Sequence, residues 1–577
     1  MAEGRRRIVS ILQSSDMKAL ATVAGGQAEL PELIGPQERS SAQAIIETLI
    51  RNGVLHVFGV PGVHTYELYD ALYQHRDRVT YVGARHEQAA GYMAYGYAAS
   101  TGDLGVYTCV PGPGILNSGS ALATAYAANA PVLCLTSDIP AAEIGRGHGI
   151  LHELPDQVAL LRGLTKWAER IDHPSEAPPR VGEAIRRARS GRPRPVALVC
   201  PWDILGIRAP VTFGEAVRRE QSPIPDPDGV TRAATLIATA KRPLIMLGSG
   251  AVDAGEEILA LAQRLQAPVT SHRNGRGIVG DDLPYGLSSA AAYEYWQTTD
   301  LLIAIGTRME LQYIRWRKLP PDLRIVRIDI DPTEMARRKV DAPIVADARD
   351  GVAALLAELA GHRVDSPSRE RELGELKAAA RARFASVQPQ VAYLDVIRAV
   401  LPRDGFFVEE ICQAGFAARY AFPVFCARTY VSSGYQDNLG FGFMTALGVK
   451  VANPGRAVVS ISGDGGFMYG VQELATAVQY SIGVVAIVFN NQSFGNVLRD
   501  QRTRYEGRVI GADLVNPDFV ALARSFGVDA ARVREPQGLQ RELEVALARG
   551  TPCLIEVRIE PGSETSPWPF LHPNGFG

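Results

Sequence analysis

Two polar clusters stand at the ends of apolar runs in the last third of the chain. The run 457–461 leads into Ser462-Gly463-Asp464-Gly465-Gly466, and the run 483–489 leads into Asn490-Asn491. A helical stretch separates them. Both runs therefore read as parallel strands, and both clusters fall at carboxyl ends, where open α/β sheets bind ligands. A carboxylate and an amide oxygen are hard donors. They suit Mg²⁺, which needs an octahedral oxygen shell and takes few protein ligands when a diphosphate completes it. Asp464 and Asn491 are thus candidate metal ligands, with the backbone at Ser493 as a third. Gly463, Gly465 and Gly466 would let the backbone approach the phosphates, and a helix start favours their charge. The bland alternative is a glycine turn and an unrelated polar loop. Two matched clusters on two strands argue against it.

A second candidate is Glu87, in Arg85-His86-Glu87-Gln88-Ala89-Ala90, directly after a strand and opening a helix. A carboxyl in a water-poor pocket has a raised pKa and can share a proton, which is general acid–base work. Read alone, Glu87 could equally be a first-turn carboxylate that stabilises the helix dipole.

The Gly-Asp-Gly…Asn-Asn pair resembles the cofactor motif of thiamine-diphosphate enzymes, and Arg85-His86-Glu87 resembles a segment of the acetolactate synthase family and its relatives. The resemblance covers about residues 40–560. It implies thiamine diphosphate and Mg²⁺ as cofactors, with Glu87 hydrogen-bonded to the pyrimidine ring of the cofactor. It also implies a homodimer or homotetramer whose active sites are shared between chains. Ser433-Gly434 with Asn438-Leu439-Gly440 looks like the family's glycine loop. Leu439 falls at the position of the apolar wedge that bends the cofactor, and the Asp437 backbone oxygen at the contact to its amino group. The small residues usual before the wedge are here Tyr435, Gln436 and Asp437. Gln413 falls in the family's diphosphate turn, with Cys412 where a glycine is common; a helix start without a ligand is the other reading.

Two histidines are further catalytic candidates. His64 follows Pro61-Gly62-Val63, at a place where benzaldehyde lyase-like enzymes carry a histidine. His152 lies roughly where relatives carry a glutamine or histidine. Either could move a proton at a substrate oxygen, or be a packing residue. Acetolactate synthases proper also bind a flavin in the middle domain. Their pattern is replaced here by Gly306-Thr307-Arg308-Met309-Glu310-Leu311, and Gly248-Ser249-Gly250 is an incomplete dinucleotide turn, so no flavin is expected.

The elements that must position these residues alternate along the chain. Strand–helix alternation predicts an α/β fold of three doubly wound parallel-sheet domains. The expected order is an extension (1–38), a pyrimidine-binding domain (39–205), a Pro-, Asp- and Arg-rich linker (206–229) and a central Rossmann-like domain (230–361). A charged, partly helical linker (362–390), a diphosphate-binding domain (391–560) and a tail (561–577) follow. The tail is aromatic, without helical or strand period, and is a candidate active-site cover.

Bulk composition narrows the function classes. The 577 residues carry net charge −2, without the basic excess that a nucleic-acid partner calls for. No apolar run approaches a membrane span. The six cysteines contain no Cys-x-x-Cys pair and read as reduced. With no apolar segment behind Arg5–Arg7, a cytoplasmic location is expected. The partner expected is a small carbonyl compound, and the reaction a carbon–carbon lyase or carboligase step on 2-oxo acids or 2-hydroxy ketones. Alternatives are simple 2-oxo acid decarboxylation, acyloin cleavage without carboligation, a noncatalytic cofactor-binding relative, or a nicotinamide oxidoreductase; the incomplete turn disfavours the last.

Overall fold

The computed structural model describes residues 35–575. The expected extension lies almost wholly outside the described residues. Three six-stranded sheets, parallel throughout, form three α/β domains. In spatial order the amino-domain strands are Thr80–Gly83, His56–Gly59, Gly105–Cys109, Val132–Asp138, Val196–Pro201 and Trp167–Arg170. The central sheet runs Gly286–Leu287, Val269–Ser271, Pro243–Leu247, Leu301–Ile305, Arg324–Asp329 and Ala342–Val345. The carboxy sheet runs Tyr430–Val431, Phe406–Glu409, Val458–Gly463, Val485–Asn490, Cys553–Arg558 and Asp529–Val533.

Strands numbered within each domain by appearance give the order 2-1-3-4-6-5 for both the amino and carboxy sheets, and 3-2-1-4-5-6 for the central one. The inner strands are covered by helices on both faces, which is why they are continuous apolar runs rather than alternating ones. Val485–Asn490 is buried at every residue.

The amino and carboxy domains meet through one shared core. Tyr92, Met93 and Tyr95 of the helix Glu87–Thr101 pack on Phe441, Met444 and Leu447 of the helix Phe441–Ala452. Glycines permit the close approach. A Cβ at Gly96 would run into the Thr445 carbonyl, and one at Gly448 into the Met93 carbonyl.

Several stretches depart from the expected elements. The segment after residue 206 carries the strand Arg208–Val211, which pairs antiparallel with Gln37–Ser40, and the helix Pro227–Thr239 begins before the segment ends. The stretch 362–390 is partly helical, as its sequence predicts, and its helix Glu370–Phe384 buries Leu373, Ala380 and Phe384. The tail is not free of regular structure. It contains the helix Trp568–Leu571, with Trp568 ring-packed on Phe416 at 4.8 Å and Phe570 on Tyr420 at 5.0 Å. Four residues are too few for a period to be read. The six cysteines are free. Among the described residues no helix is long and apolar enough to cross a membrane.

Candidate active site

Each outer domain has a crevice where its strand order reverses, between strands 1 and 3. In the carboxy domain these are Phe406–Glu409 and Val458–Gly463. Asp464 opens the turn after the second of them and is 1% exposed. Its Oδ2 accepts a 2.6 Å bond from Asn516 Nδ2, and burial pushes its pKa up. Asn491 sits at the end of the neighbouring strand. Its Nδ2 donates to Glu564 Oε2 at 2.6 Å, and its Oδ1 accepts the Ser493 amide and hydroxyl at 3.1 Å each. Gln492 is left-handed (φ 57°), and Ser493 pairs with Asp513 across an isolated bridge, so the turn is fixed on both sides. Gln413 opens the helix Gln413–Ala421, and its Oε1 accepts Arg499 Nη2 at 2.6 Å. The Arg499 Nη1 atom is buried without a hydrogen-bond partner.

The glycines of the motif are sterically required. A Cβ at Gly465 would strike the Phe494 ring, and one at Gly466 would strike the Glu410 carboxylate. Glu410 is fully enclosed. It accepts the Gly442 amide at 2.7 Å, the Gly440 amide at 3.2 Å and the Ser462 hydroxyl at 3.0 Å, and burial pushes its pKa up to about 7. Leu439 lies between those elements and is half-buried, not a core leucine. Its Cδ2 is 3.4 Å from where a Gly466 Cβ would stand. Gly434 (φ 64°) crosses the backbone of Ala127 and Ala128 closely. Asp437 is left-handed (φ 46°), and its carboxylate is held by Arg273 and Arg419. Burial opposes the charge there, but the two guanidinium groups outweigh it and hold the pKa low.

The amino-domain crevice lies between His56–Gly59 and Gly105–Cys109. It holds titratable groups. Glu87 opens its helix half-buried, with Oε2 accepting Asn117 Nδ2 at 3.0 Å. His64 and His152 lie with ring centroids 5.4 Å apart, and Trp202 is 5.3 Å from His64. Both histidines are left-handed, at φ 76° and 69°. Such strain in a non-glycine residue persists only where the surroundings enforce it. His64 Nε2 is 3.0 Å from the Leu151 carbonyl, which accepts and so sets the Nε2–H tautomer. That leaves Nδ1 as an acceptor. The Nδ1 atoms of both rings are buried and unpartnered. Burial, then the neighbouring His64, hold the His152 pKa below the usual range. Gly112 (φ 62°) passes against the His152 backbone and donates its amide to Gln157 at 3.0 Å.

The structure thus gathers the carboxy-domain candidates in one crevice and Glu87, His64 and His152 around another. Among the described residues no hydrogen bond or ion pair joins Glu87 to the Asp464 cluster within one chain.

Comparison with known proteins decides the family. Residues 39–160, 230–355 and 411–557 match, in turn, the thiamine pyrophosphate enzyme N-terminal TPP binding domain, central domain and C-terminal TPP binding domain. The chain belongs to the thiamine pyrophosphate enzymes. A probable 2-ketoarginine decarboxylase of Pseudomonas aeruginosa is 35% identical over 91% of this chain and 95% of its own. A probable acetolactate synthase large subunit of Methanocaldococcus jannaschii is 33% identical over 92% and 94%. Acetolactate synthase isozyme 1 large subunit of Escherichia coli is 29% identical over 92% and 96%.

As a thiamine pyrophosphate enzyme the chain must hold a diphosphate, and the carboxy crevice fits one. Hard oxygens line it, glycines clear the approach, and the orphaned Arg499 Nη1 supplies a donor. Among the described residues no three His, Cys, Asp or Glu side chains gather as a metal site. Sequence reasoning missed Arg499, Glu564 and the roles of Glu410, Asn117 and Asn516. Asn516 lies in the run Asn516-Pro517-Asp518-Phe519, and its bonds to Asp464 Oδ2 at 2.6 Å and Asn490 Oδ1 at 3.1 Å tie the ends of the two strands together.

Proposed function

We propose that this chain is a thiamine-diphosphate- and Mg²⁺-dependent carbon–carbon lyase or carboligase acting on 2-oxo acids or 2-hydroxy ketones. The observation that carries the reading is the pairing of a hard-oxygen crevice in one domain with a proton-handling crevice in another of the same topology. Asp464, Asn491 and the Ser493 backbone hold the metal; Arg499 and Gln413 serve the diphosphate; Leu439 and the Asp437 backbone meet the rings. When bound, the cofactor supplies the nucleophile and electron sink. Glu87 holds the proton at the pyrimidine nitrogen. His64, through its Nδ1 acceptor, and the neighbouring His152 imidazole move a proton at the substrate oxygen. Two chains pair so that Glu87 of one serves the Asp464 cluster of the other.

A second reading, decarboxylation without carboligation, draws support from the likeness to the probable 2-ketoarginine decarboxylase. Purified protein with Mg²⁺ and cofactor, given a panel of 2-oxo acids and acyloins with products read by mass spectrometry, separates the two. Coupled products support the first; aldehyde and CO₂ alone support the second. No flavin takes part on this reading, because the middle-domain pattern is absent. The purified protein is expected to show no flavin absorbance, and a stoichiometric yellow chromophore would overturn that part.

A further inference from the structure

The central domain closes on the loop that carries Leu439, with three different kinds of contact. Asn274 brackets one residue: its Oδ1 accepts the Ser432 amide at 2.8 Å and its Nδ2 donates to the Ser432 carbonyl at 3.2 Å. The Arg308 guanidinium lies 4.7 Å from the centroid of the Tyr435 ring, in cation–π contact. Arg273 meets Asp437 end-on, Nη1 to Oδ1 at 2.8 Å and Nη2 to Oδ2 at 3.2 Å.

The Arg273–Asp437 pair belongs to an unbroken chain of alternating charge. Arg419 holds the same Asp437 carboxylate at 2.7 and 3.2 Å, and Glu409 Oε1 at 2.9 Å. On the other flank Arg273 Nε donates to Glu310 Oε2 at 3.0 Å, and Glu310 is shared with Arg315 at 2.9 Å. Three guanidinium groups thus face three carboxylates. Side-chain exposure is 1% at Arg419, 2% at Glu409 and 11% at Arg273. A buried ion network is weak evidence of stabilisation, since apolar replacements often do as well. Its better-attested use is to fix one arrangement.

Backbone strain points to the same purpose. Asp437 (φ 46°), Arg273 (φ 52°) and Met309 (φ 58°), the residue before Glu310, are all left-handed without being glycine. Each of the three segments that meet here holds a conformation its side chain disfavours. Beyond Leu439, Glu410 grips the Gly440 and Gly442 amides. Leu439 is therefore bracketed by the Asp437 clamp before it and the Glu410 clamp after it.

We propose that the Arg273–Asn274 turn of the central domain is the seat of the cofactor loop, and that Arg273 is a positioning residue which sets Leu439 by clamping Asp437. The central domain then acts on the cofactor without touching it. The inference rests on the reading above that the Leu439 loop meets thiamine diphosphate. It also accounts for the unusual Asp437 two residues before the wedge: the carboxylate's two guanidinium partners offset a left-handed conformation that glycine would adopt without strain.

The test compares wild type, Arg273→Ala, Arg273→Lys and Arg273→Ala/Asp437→Gly. Backbone amide exchange of peptides spanning 432–442 is measured by mass spectrometry in cofactor-free protein, with the strand 485–490 as reference. Cofactor affinity is measured by calorimetry with Mg²⁺. Arg273→Ala is expected to speed exchange in the loop, leave the reference strand protected and weaken affinity roughly tenfold or more, as loss of an outer orienting group does. Arg273→Lys should recover little, because an ammonium lacks the planar pair of donors that meets both oxygens of Asp437. The double variant should recover much of the affinity. It leaves Glu409–Arg419 and Glu310–Arg315 balanced and gives the loop a glycine. Unchanged loop exchange and affinity in Arg273→Ala, or a double variant no better than the single, overturns the inference. Loosening of loop and reference strand together also overturns it, in favour of a purely structural ion pair. Wild-type protein that binds no thiamine diphosphate sinks the proposed function and this inference with it, whereas failure of Arg273→Ala alone sinks only the inference.

Discussion

The amino and carboxy domains thread six strands in the same order, yet their crevices carry different chemistry. At the amino switch point stand His64, the Gly112 turn and His152, with Glu87 opening the helix after the second strand. At the carboxy switch point stand Glu410 and Asp464, and the equivalent helix, Phe441–Ala452, is preceded by Leu439. One crevice offers a carboxyl group and two imidazoles. The other offers hard oxygens and buried cations. The strand order fixes where a ligand sits; the turn residues after the strands decide what the site does to it. The two helices also touch reciprocally. Gly96 meets Thr445 and Gly448 meets Met93, each glycine lying three residues after the one its partner meets.

That division of labour predicts that damage in the two crevices has different signatures. Asp464→Ala should have the largest effect, abolishing activity because Mg²⁺-diphosphate no longer binds. Calorimetry decides this, and unchanged cofactor affinity in the variant would erase the contrast between the domains. Glu87→Gln should do the reverse. Binding should persist, since the amide is nearly isosteric and the diphosphate is held elsewhere. Deprotonation of the thiazolium carbon should slow by about 10²–10⁴-fold, the usual span for a general acid–base group. Hydrogen–deuterium exchange at that carbon, read by NMR after acid quench, measures the step. Exchange as fast as wild type would reduce Glu87 to a helix-end carboxylate.

The histidines sharpen the comparison through pH. His152 is held below the usual histidine range by burial and by His64. Its neutral, accepting form therefore persists as pH falls past the ordinary value of about 6.5 and is lost only below it. The acid limb of kcat/KM should lie below that value in wild type. His152→Gln should remove the limb and lower kcat/KM by about 10²-fold, with cofactor affinity unchanged. An acid limb above neutrality would remove His152 from the proton path.

Much of this was legible in the chain itself, for identifiable reasons. Inner strands such as Val485–Asn490 are buried on both faces and read as apolar runs, so the residues at their ends could be placed. The edge strand Thr80–Gly83 before Glu87 could be placed too, but several other edge strands could not. Trp167–Arg170 ends in two charged residues, Gly286–Leu287 has two residues, and Asp529–Val533 is largely uncovered. Each takes its conformation from a neighbour's hydrogen bonds. The same limit applies in the sites. Asp464 and Asn491 follow their own strands, whereas Glu564 reaches Asn491 from 73 residues away and Arg273 reaches Asp437 across 164. A spacing of that kind leaves no local pattern.

The smallest expected effect concerns the crossing where the two domains meet. Gly96→Ala and Gly448→Ala each place a methyl against a carbonyl of the facing helix. Overpacking of this kind costs about 1–3 kcal/mol, and thermal unfolding should report a similar loss for both. Their functional traces should differ. Gly96 lies on the helix that begins at Glu87, so its shift should slow thiazolium deprotonation at saturating cofactor. Gly448 lies on the helix that follows Leu439, so its shift should weaken cofactor binding first. The double variant should lose less than the sum, because the helices need to part only once to admit both methyls. Strictly additive losses would mean that the two contacts yield independently, and the helices would then not move as one packed pair.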